Sequence, residues 1–248
     1  MPTLYMVATP IGNLEDLTMR ALRILGEVDY ILCEDTRVTG NLLKHYKIDK
    51  PLISYHQHSN LNKTEEILEL LANGKNLALV TDAGTPGISD PGGKLVQLVV
   101  DKLGEDVKIE SVPGASAVTA ALSISGIAAD KFVFLGFPPH KKGRQTFLRR
   151  VLESEYPAVV YESKYRIIKF LEELKQAEEN YNLEQKYNNA EKKSKGEPKQ
   201  IKLTSVVVCR ELSKMFETVY RGELESIIEK IKNSPDDQKG EFVVIIGK

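Results

Sequence analysis

The segment Val80-Thr81-Asp82-Ala83-Gly84-Thr85-Pro86-Gly87-Ile88-Ser89-Asp90-Pro91-Gly92-Gly93 says more about the architecture than any other part of this chain. The apolar run from Leu77 to Val80 predicts a buried strand, and the amphipathic stretch from Lys94 to Lys102 predicts a helix. A strand, a loop rich in glycine, proline and aspartate, and then a helix is the arrangement of a ligand site at the carboxyl end of an α/β strand. Glycine lets the backbone approach a ligand closely, and proline fixes its path.

This loop does not have the spacing of known phosphate-binding loops. It lacks both the G-x-G-x-x-G pattern of dinucleotide sites and the G-x-x-x-x-G-K-[ST] pattern of P-loops. It contains Asp82 and Asp90 but no lysine or arginine. It therefore suits a ligand that offers hydroxyls, amines or positive charge. The alternative is a strained connection that binds nothing.

Length and composition are those of an ordinary globular protein. With 248 residues, 42% apolar and 28% charged, the chain is long enough for one large domain or two small ones. The net charge of −1 does not indicate a nucleic-acid-binding protein, although a basic patch can exist within a neutral total. Cys33 and Cys209 lie in apolar runs and are expected to be reduced, not metal-bound. We expect a cytoplasmic protein, because no signal peptide or membrane span is evident.

Strands and helices alternate in the first half of the chain. This alternation, with short loops, predicts an α/β domain with a doubly wound sheet over residues 1–114. Besides Leu77 to Val80, the predicted strands are Leu4 to Ala8, Tyr30 to Cys33, Leu52 to Tyr55 and Val107 to Val112.

The second half predicts another α/β domain over residues 115–248, with a mixed sheet. Its predicted strands are Phe132 to Phe137, Ala158 to Tyr161, Ser205 to Cys209 and Phe242 to Ile246. The stretch 175–202 is polar and rich in Glu, Lys and Asn, which is typical of a mobile insertion; a substrate-binding arm is the alternative.

Several long motifs resemble one known family. They are Leu4 to Asp16, Cys33 to Arg37, Asp82 to Gly92, Val112 to Ala117, Gly136-Phe137, Tyr161 to Ser163 and Arg210 to Lys214. Together they are similar to the methyltransferases of small-subunit ribosomal RNA within the tetrapyrrole methylase superfamily. The resemblance implies an enzyme that 2′-O-methylates a cytidine of 16S rRNA. It also implies two α/β domains with S-adenosylmethionine in the cleft between them, a homodimer and no metal.

The chain departs from the family pattern at three places, one of which is an insertion at residues 175–202 that is longer than expected for the family. Lys164-Tyr165 follows Glu162-Ser163, where the family usually has Pro-His. Many members also continue past the last strand with a helical tail, whereas this sequence ends at Lys248. We expect these departures to affect RNA engagement or dimer packing and not the cofactor site.

The resemblance and the strand-end positions together predict the site residues. The expected cofactor contacts are Pro10, Gly12, Asp82, Gly84, Thr85, Ile88, Asp90, Ser116, Ala117, Tyr161 and Leu212. The ribose hydroxyl must lose its proton to a general base, for which the candidates, left unranked, are Glu34, Asp35 and Glu162. The expected RNA contacts are Arg37, Lys141, Lys142, Arg144 and Arg166.

Each of these groups has a structural alternative. The charged cluster at Glu34, Asp35 and Arg37 is equally consistent with an ion-paired helix cap. Glu162 with Arg166, and Arg210 with Glu211, are consistent with salt bridges across the two domains. The basic residues are also consistent with a solvated helix face.

Two other functions are compatible with the same sequence. One is a tetrapyrrole C-methyltransferase that uses the same fold and cofactor. Against it, Thr9-Pro10-Ile11-Gly12-Asn13 replaces a glycine-richer first loop. The other is a non-catalytic RNA-binding or ribosome-assembly protein, which would not bind S-adenosylmethionine.

Overall fold

The computed structural model describes residues 1–56, 61–191, 201–203 and 205–247, without the side chains of 189–191. It divides into two compact units, Met1–Ser116 and Ala117–Lys248. This division lies close to the domain boundary that the sequence predicts after Gly114. Within the described ranges, no helix is long and apolar enough to cross a membrane.

The N-terminal unit, Met1–Ser116, contains a parallel sheet of five strands in the order β3-β2-β4-β1-β5. The strands are β1 (Thr3–Val7), β2 (Tyr30–Cys33), β3 (Leu52–Ser54), β4 (Leu77–Leu79) and β5 (Lys108–Val112). Its helices are α1 (Met19–Glu27), α2 (Thr36–His45), α3 (Leu61–Ala72) and α4 (Gly92–Leu103). Short 3-10 turns cover Leu14–Asp16 and Gly104–Asp106.

Both faces of this sheet are covered by helices. Leu25 of α1 and Leu43 of α2 belong to one buried cluster, while Ile67 of α3 and Leu95 of α4 belong to another. The strands are short apolar runs because both of their faces are buried. The prediction of a doubly wound sheet is confirmed.

The C-terminal unit, Ala117–Lys248, has a mixed sheet in the order β6-β7-β10-β8-β9. Only the β6–β7 pair is parallel, so the prediction of a mixed sheet is confirmed. The strands are β6 (Val133–Phe134), β7 (Ala158–Ser163), β8 (Val206–Arg210), β9 (Thr218–Gly222) and β10 (Glu241–Ile246). The helices are α5 (Ala117–Ser125), α6 (Arg144–Glu153), α7 (Ile167–Glu191) and α8 (Leu224–Asn233), followed by a 3-10 turn at Pro235–Gln238.

Two elements of this unit differ from the sequence prediction. Strand β6 is shorter than Phe132 to Phe137, although hydrogen bonds with β7 continue to Gly136, whose carbonyl accepts the Tyr161 amide at 2.9 Å and whose φ is +64. The polar stretch that begins at Lys175 is helical as far as Glu191. Asn182 on that helix hydrogen-bonds both backbone groups of Ile201, at 2.7 and 2.8 Å. Residues 192–200 of the stretch that was predicted to be a mobile insertion lie outside the described residues.

Candidate functional site

The carboxyl ends of β1 and β4 are joined directly in the N-terminal unit. The backbone amides and carbonyls of Thr9 and Gly84 bond reciprocally at 2.9 and 3.1 Å. The buried Thr9 hydroxyl also donates to the Thr81 carbonyl at 3.0 Å. These hydrogen bonds join two loops at this edge of the sheet. They are the first turn, Thr9 to Asn13, and the acidic loop, Val80 to Gly93.

The acidic loop holds a tight shape through its own backbone. One oxygen of Asp90, Oδ1, accepts hydrogen bonds from the amides of Gly87 and Gly92, each at 2.7 Å. Ser89 adopts φ +63, a left-handed conformation that non-glycine residues seldom adopt. A Cβ at Gly92 would lie 2.9 Å from the Gly87 nitrogen, so only glycine fits there. Such a concentration of unusual backbone is typical of a functional site.

The other predicted cofactor residues of this unit lie on or beside the same edge. The Thr85 hydroxyl donates to the Ala115 carbonyl at 3.1 Å, which ties the loop to the segment after β5. Ile88 is 51% exposed and Asp82 is also exposed. Pro10 and Ser116 are half-buried, Gly12 is exposed and Gly84 is buried.

Glu34 follows β2 and lies next to the acidic loop. Its Oε1 accepts a hydrogen bond from the Thr81 hydroxyl at 2.9 Å. Desolvation raises the pKa of Glu34, the nearby Asp90 and Asp82 carboxylates raise it further, and the Thr81 hydrogen bond opposes the shift. The pKa of Asp82 is also raised, mainly by desolvation. This edge of the sheet thus carries several carboxylates, and the raised pKa of Glu34 makes it a better proton acceptor than an ordinary carboxylate.

Asp35 has a different role from Glu34. It caps the N-terminus of α2, where Oδ1 accepts the Arg37 amide at 2.8 Å. Its Oδ2 lies 2.7 Å from the Arg37 guanidinium, and this hydrogen bonding lowers the pKa of Asp35 to about 2. Asp35 and Arg37 therefore form the ion-paired helix cap that was the alternative interpretation, and such an acidic carboxyl group is a weak proton acceptor.

In the C-terminal unit, Glu162 is a buried, ion-paired carboxylate. Its side chain is 0% exposed, and Oε1 lies 2.9 Å from an Arg166 nitrogen and accepts the Ser163 amide at 2.7 Å. Its Oε2 has no hydrogen-bond partner among the described residues. Both members of the pair belong to this unit, so the expectation of a salt bridge across the domains is wrong for Glu162.

The same expectation is wrong for Arg210 and Glu211. The buried Arg210 guanidinium donates to three backbone carbonyls of its own unit, those of Phe216, Asp236 and Lys239. Glu211 pairs instead with Lys214 at 2.9 Å.

Tyr161 and Leu212, the predicted cofactor contacts of this unit, sit beside these charged residues. Tyr161 is half-buried against Phe134 and Phe137, with ring centroids 4.8 and 5.4 Å away, and burial raises its pKa. Leu212 is 8% exposed. Ala117 is the first residue of α5 and is half-buried.

The predicted RNA contacts divide into two groups. Lys141 and Lys142 are exposed in the loop before α6. Arg144 is only 7% exposed and pairs with Glu173, which contradicts its expected place in an exposed basic patch. The arginine turns inward because its partly exposed carboxylate partner, Glu173, offsets the cost of burying its charge.

Sequence reasoning missed two residues, Thr81 and Glu173, that hydrogen-bond predicted site residues. Thr81 could have been recognised, because a hydroxyl directly after a buried strand is placed to bond its neighbours. Glu173 could not, since it is one of many acidic residues on a polar helix and its partner is 29 positions away.

Comparison with known proteins identifies the family of this chain. Residues 3–228 match the family model described as Tetrapyrrole (Corrin/Porphyrin) Methylases. The chain belongs to the tetrapyrrole methylase family. This confirms the family that the sequence motifs indicate.

Relatives of this tetrapyrrole methylase carry a common name. A protein from Synechocystis, named ribosomal RNA small subunit methyltransferase I, is 42% identical over 99% of this chain and 79% of its own length. Proteins of the same name from Haemophilus influenzae and Hydrogenobaculum are each 39% identical, over 98% and 99% of this chain and 77% and 95% of their own lengths.

Solved structures show the same fold at low sequence identity. The methyltransferase CobJ matches with a TM-score of 0.66 and 17% identity, over 100% of this chain and 95% of that one. A uroporphyrin-III-C-methyltransferase from Thermus thermophilus matches with a TM-score of 0.61 and 18% identity, over 100% and 95% of the two chains. The predicted fold class is therefore confirmed.

Proposed function

We propose that this tetrapyrrole methylase transfers a methyl group from S-adenosylmethionine to the ribose 2′-hydroxyl of a cytidine in the 16S rRNA of the small ribosomal subunit. The chain is a methyltransferase that uses S-adenosylmethionine, and ribosomal RNA is its substrate class. The observation that carries this conclusion is identity of about 40% over almost the whole chain with relatives named for that substrate. The ribose position and the cytidine rest on the motif resemblance.

The N-terminal unit fits this cofactor by charge and by hydrogen-bonding capacity. Glu34, Asp82 and Asp90 lie at one edge of the sheet, and no lysine or arginine occurs between Val80 and Gly93. The Asp90 Oδ2 is a buried acceptor with no partner among the described residues. A cationic ligand with hydroxyl and amino donors suits this edge, and a polyphosphate does not. When bound, the cofactor supplies an electrophilic methyl group on a positively charged sulfur.

We propose that Glu34 is the general base. Its pKa is raised, it keeps one oxygen on the Thr81 hydroxyl, and it lies at the strand-end edge where ligands of α/β proteins bind. Asp35 is committed to the helix cap and Glu162 to Arg166. The chain's other task is to hold the hydroxyl in line with the methyl group, from which most of the rate is expected.

RNA binding is assigned to the exposed cations. Lys141 and Lys142 have free access to solvent, and the Arg37 side chain is 87% exposed while paired with Asp35. Contacts of lysine and arginine with phosphates supply much of the affinity for nucleic acid. The predicted cofactor contacts of the C-terminal unit (Ala117, Tyr161 and Leu212) rest on the family resemblance.

The two rival functions are less well supported. Tetrapyrrole enzymes share the fold with this chain at 17–18% identity, which carries no argument about substrate. A non-catalytic assembly protein does not account for relatives that are named methyltransferases.

Assembly, location and metal dependence are also proposals. The family resemblance supports a homodimer, which light scattering on the purified protein tests. A ribosomal substrate supports a cytoplasmic location. Among the described residues no group of three or more His, Cys, Asp or Glu could hold a metal ion, and the expectation of a metal-independent reaction is tested by assaying in chelator.

The decisive experiment uses small subunits from a strain that lacks this gene. The purified protein is incubated with these subunits and labelled S-adenosylmethionine, and the modified nucleotide is mapped by mass spectrometry. We expect one 2′-O-methylated cytidine in 16S rRNA. Methylation of a base, or of a tetrapyrrole in preference to the subunit, would overturn the assignment.

A further inference from the structure

Two arginines of the C-terminal unit hold consecutive carbonyls of one loop. This basic loop runs from Pro138 to Gly143, between β6 and α6. Arg166 donates to the Pro138 carbonyl at 3.2 Å, and Arg144 donates to the Pro139 carbonyl at 2.9 Å. The prolines have no N–H of their own, so their carbonyls are the backbone groups through which this part of the loop can be held.

Each arginine is itself anchored by a carboxylate. Arg166 pairs with the buried Glu162 at 2.9 Å, and Arg144 pairs through Nε with Glu173. The planar guanidinium has separate donors, so one nitrogen binds the carboxylate while another binds the carbonyl. A lysine at either position has a single ammonium on a flexible stem and cannot reproduce this fixed fork.

The two anchored arginines are largely closed to solvent, whereas the lysines that follow are open. The Arg166 and Arg144 side chains are 18% and 8% exposed, and the remaining Arg144 nitrogen is buried with no partner among the described residues. Lys141 and Lys142 are exposed on a turn. The turn is closed by a hydrogen bond of 3.3 Å from the Arg144 amide to the Lys141 carbonyl. Gly143, at φ +85, is the N-cap residue that precedes α6.

We propose that Arg144 and Arg166 are positioning residues that hold the basic loop in a preset conformation, in which Lys141 and Lys142 bind phosphates of the RNA substrate. The arginines act through the proline carbonyls and do not contact the RNA. This inference rests on the proposed function, since it assumes an RNA substrate. Holding the lysines in place before binding reduces the conformational entropy lost on association.

Limited proteolysis, done without RNA, tests whether the two arginines keep the basic loop in a fixed conformation. Arg144→Lys and Arg166→Lys keep the charge and the number of tryptic sites. We expect cleavage after Lys141 and Lys142 to become about tenfold faster in each, because cleavage follows local opening. The matched control is Lys175→Arg on α7, whose partner Glu225 belongs to α8 and not to the loop. Glu173→Gln, which leaves Arg144 without its anchor, gives a second route to the same opening. Cleavage at the wild-type rate in all three variants would overturn the proposal.

Binding measurements then separate positioning from direct contact. We expect the arginine-to-lysine variants to raise KM for the small subunit about tenfold with kcat nearly unchanged. This pattern is typical of losing an interaction that is equally strong in the ground state and the transition state. Their salt dependence should match that of the wild type. Lys141→Gln and Lys142→Gln should each reduce the slope of log K against log salt by about 0.7, the value for one phosphate contact of single-stranded nucleic acid.

Combining the changes distinguishes the two models. If the arginines act only through the lysines, adding Arg166→Lys to the double lysine variant costs little further affinity. If an arginine binds phosphate itself, replacing it with glutamine lowers the salt slope and its effect adds to that of the lysines, which would refute the positioning role. Failure of the wild-type protein to methylate subunits would refute the proposed function instead. The proteolysis result would still show whether Arg144 and Arg166 restrict opening of the basic loop.

Discussion

Gly92 occupies a position in the acidic loop where a single methyl group should disturb the whole loop. A Cβ there would lie 2.9 Å from the Gly87 nitrogen and 3.0 Å from both Asp90 Oδ1 and Leu79 Cδ2. Inserting a methyl group into a packed site costs about 1–3 kcal/mol. Replacing glycine by alanine recovers about 0.4–1 kcal/mol through the unfolded chain. After subtracting the recovery from the packing cost, we expect Gly92→Ala to lower the free energy of unfolding by about 0–2.6 kcal/mol.

The neighbouring glycine provides the matched control. A Cβ at Gly93 would meet nothing closer than 3.9 Å, so Gly93→Ala should be neutral or slightly stabilising. Urea denaturation measures stability, and calorimetry with S-adenosylmethionine measures affinity, which should fall in Gly92→Ala because the contacts with Asp90 and Gly87 shape the loop. Equal stability and equal affinity of the two variants would refute this reasoning.

Three further predictions concern Glu34, its partner Thr81, and Asp35. Glu34→Gln should reduce kcat for subunit methylation by about 10²–10⁴-fold, as for loss of a general base; a near-normal kcat would remove Glu34 from that role. Thr81→Val removes the hydrogen bond that opposes the raised pKa of Glu34, so the acid limb of the pH–rate profile should move to higher pH; an unmoved profile would show that Glu34 does not control it. Asp35 has a pKa of about 2 in the folded chain against an ordinary value of 3.8. Its stabilising contribution should therefore be complete above the ordinary value and lost as pH falls toward 2, and acid denaturation of Asp35→Asn should lack that component.

Part of the fold could be read from local patterns. Short apolar runs bounded by turn residues indicated the strands, and the predicted run Tyr30–Cys33 coincides with β2. The β9 strand, Thr218–Gly222, was not anticipated. Its residues are only partly buried, so it lacks the apolar run that marks the central strands.

The candidate site was predicted unevenly for a related reason. Asp90 was placed in the correct loop, but the structure shows that one of its oxygens holds the loop amides together. Arg144 and Lys142 look alike in the sequence, yet one is buried against Glu173 and the other is exposed. A basic side chain is buried here only where another helix supplies a carboxylate partner. The residues next to it in the sequence do not reveal that partner.

The sequence by itself determined the local backbone requirements. Glycines and prolines between Val80 and Gly93 restrict where the chain can turn, and the carboxylates there set the sign of the charge, because these are properties of the residues themselves. Only the tertiary structure decided which distant groups meet. The pairing of Thr9 with Gly84 and the bond from Thr81 to Glu34 depend on β1, β2 and β4 lying side by side in the sheet. The strand order of this sheet depends on burying both of its faces, which involves residues from the whole unit.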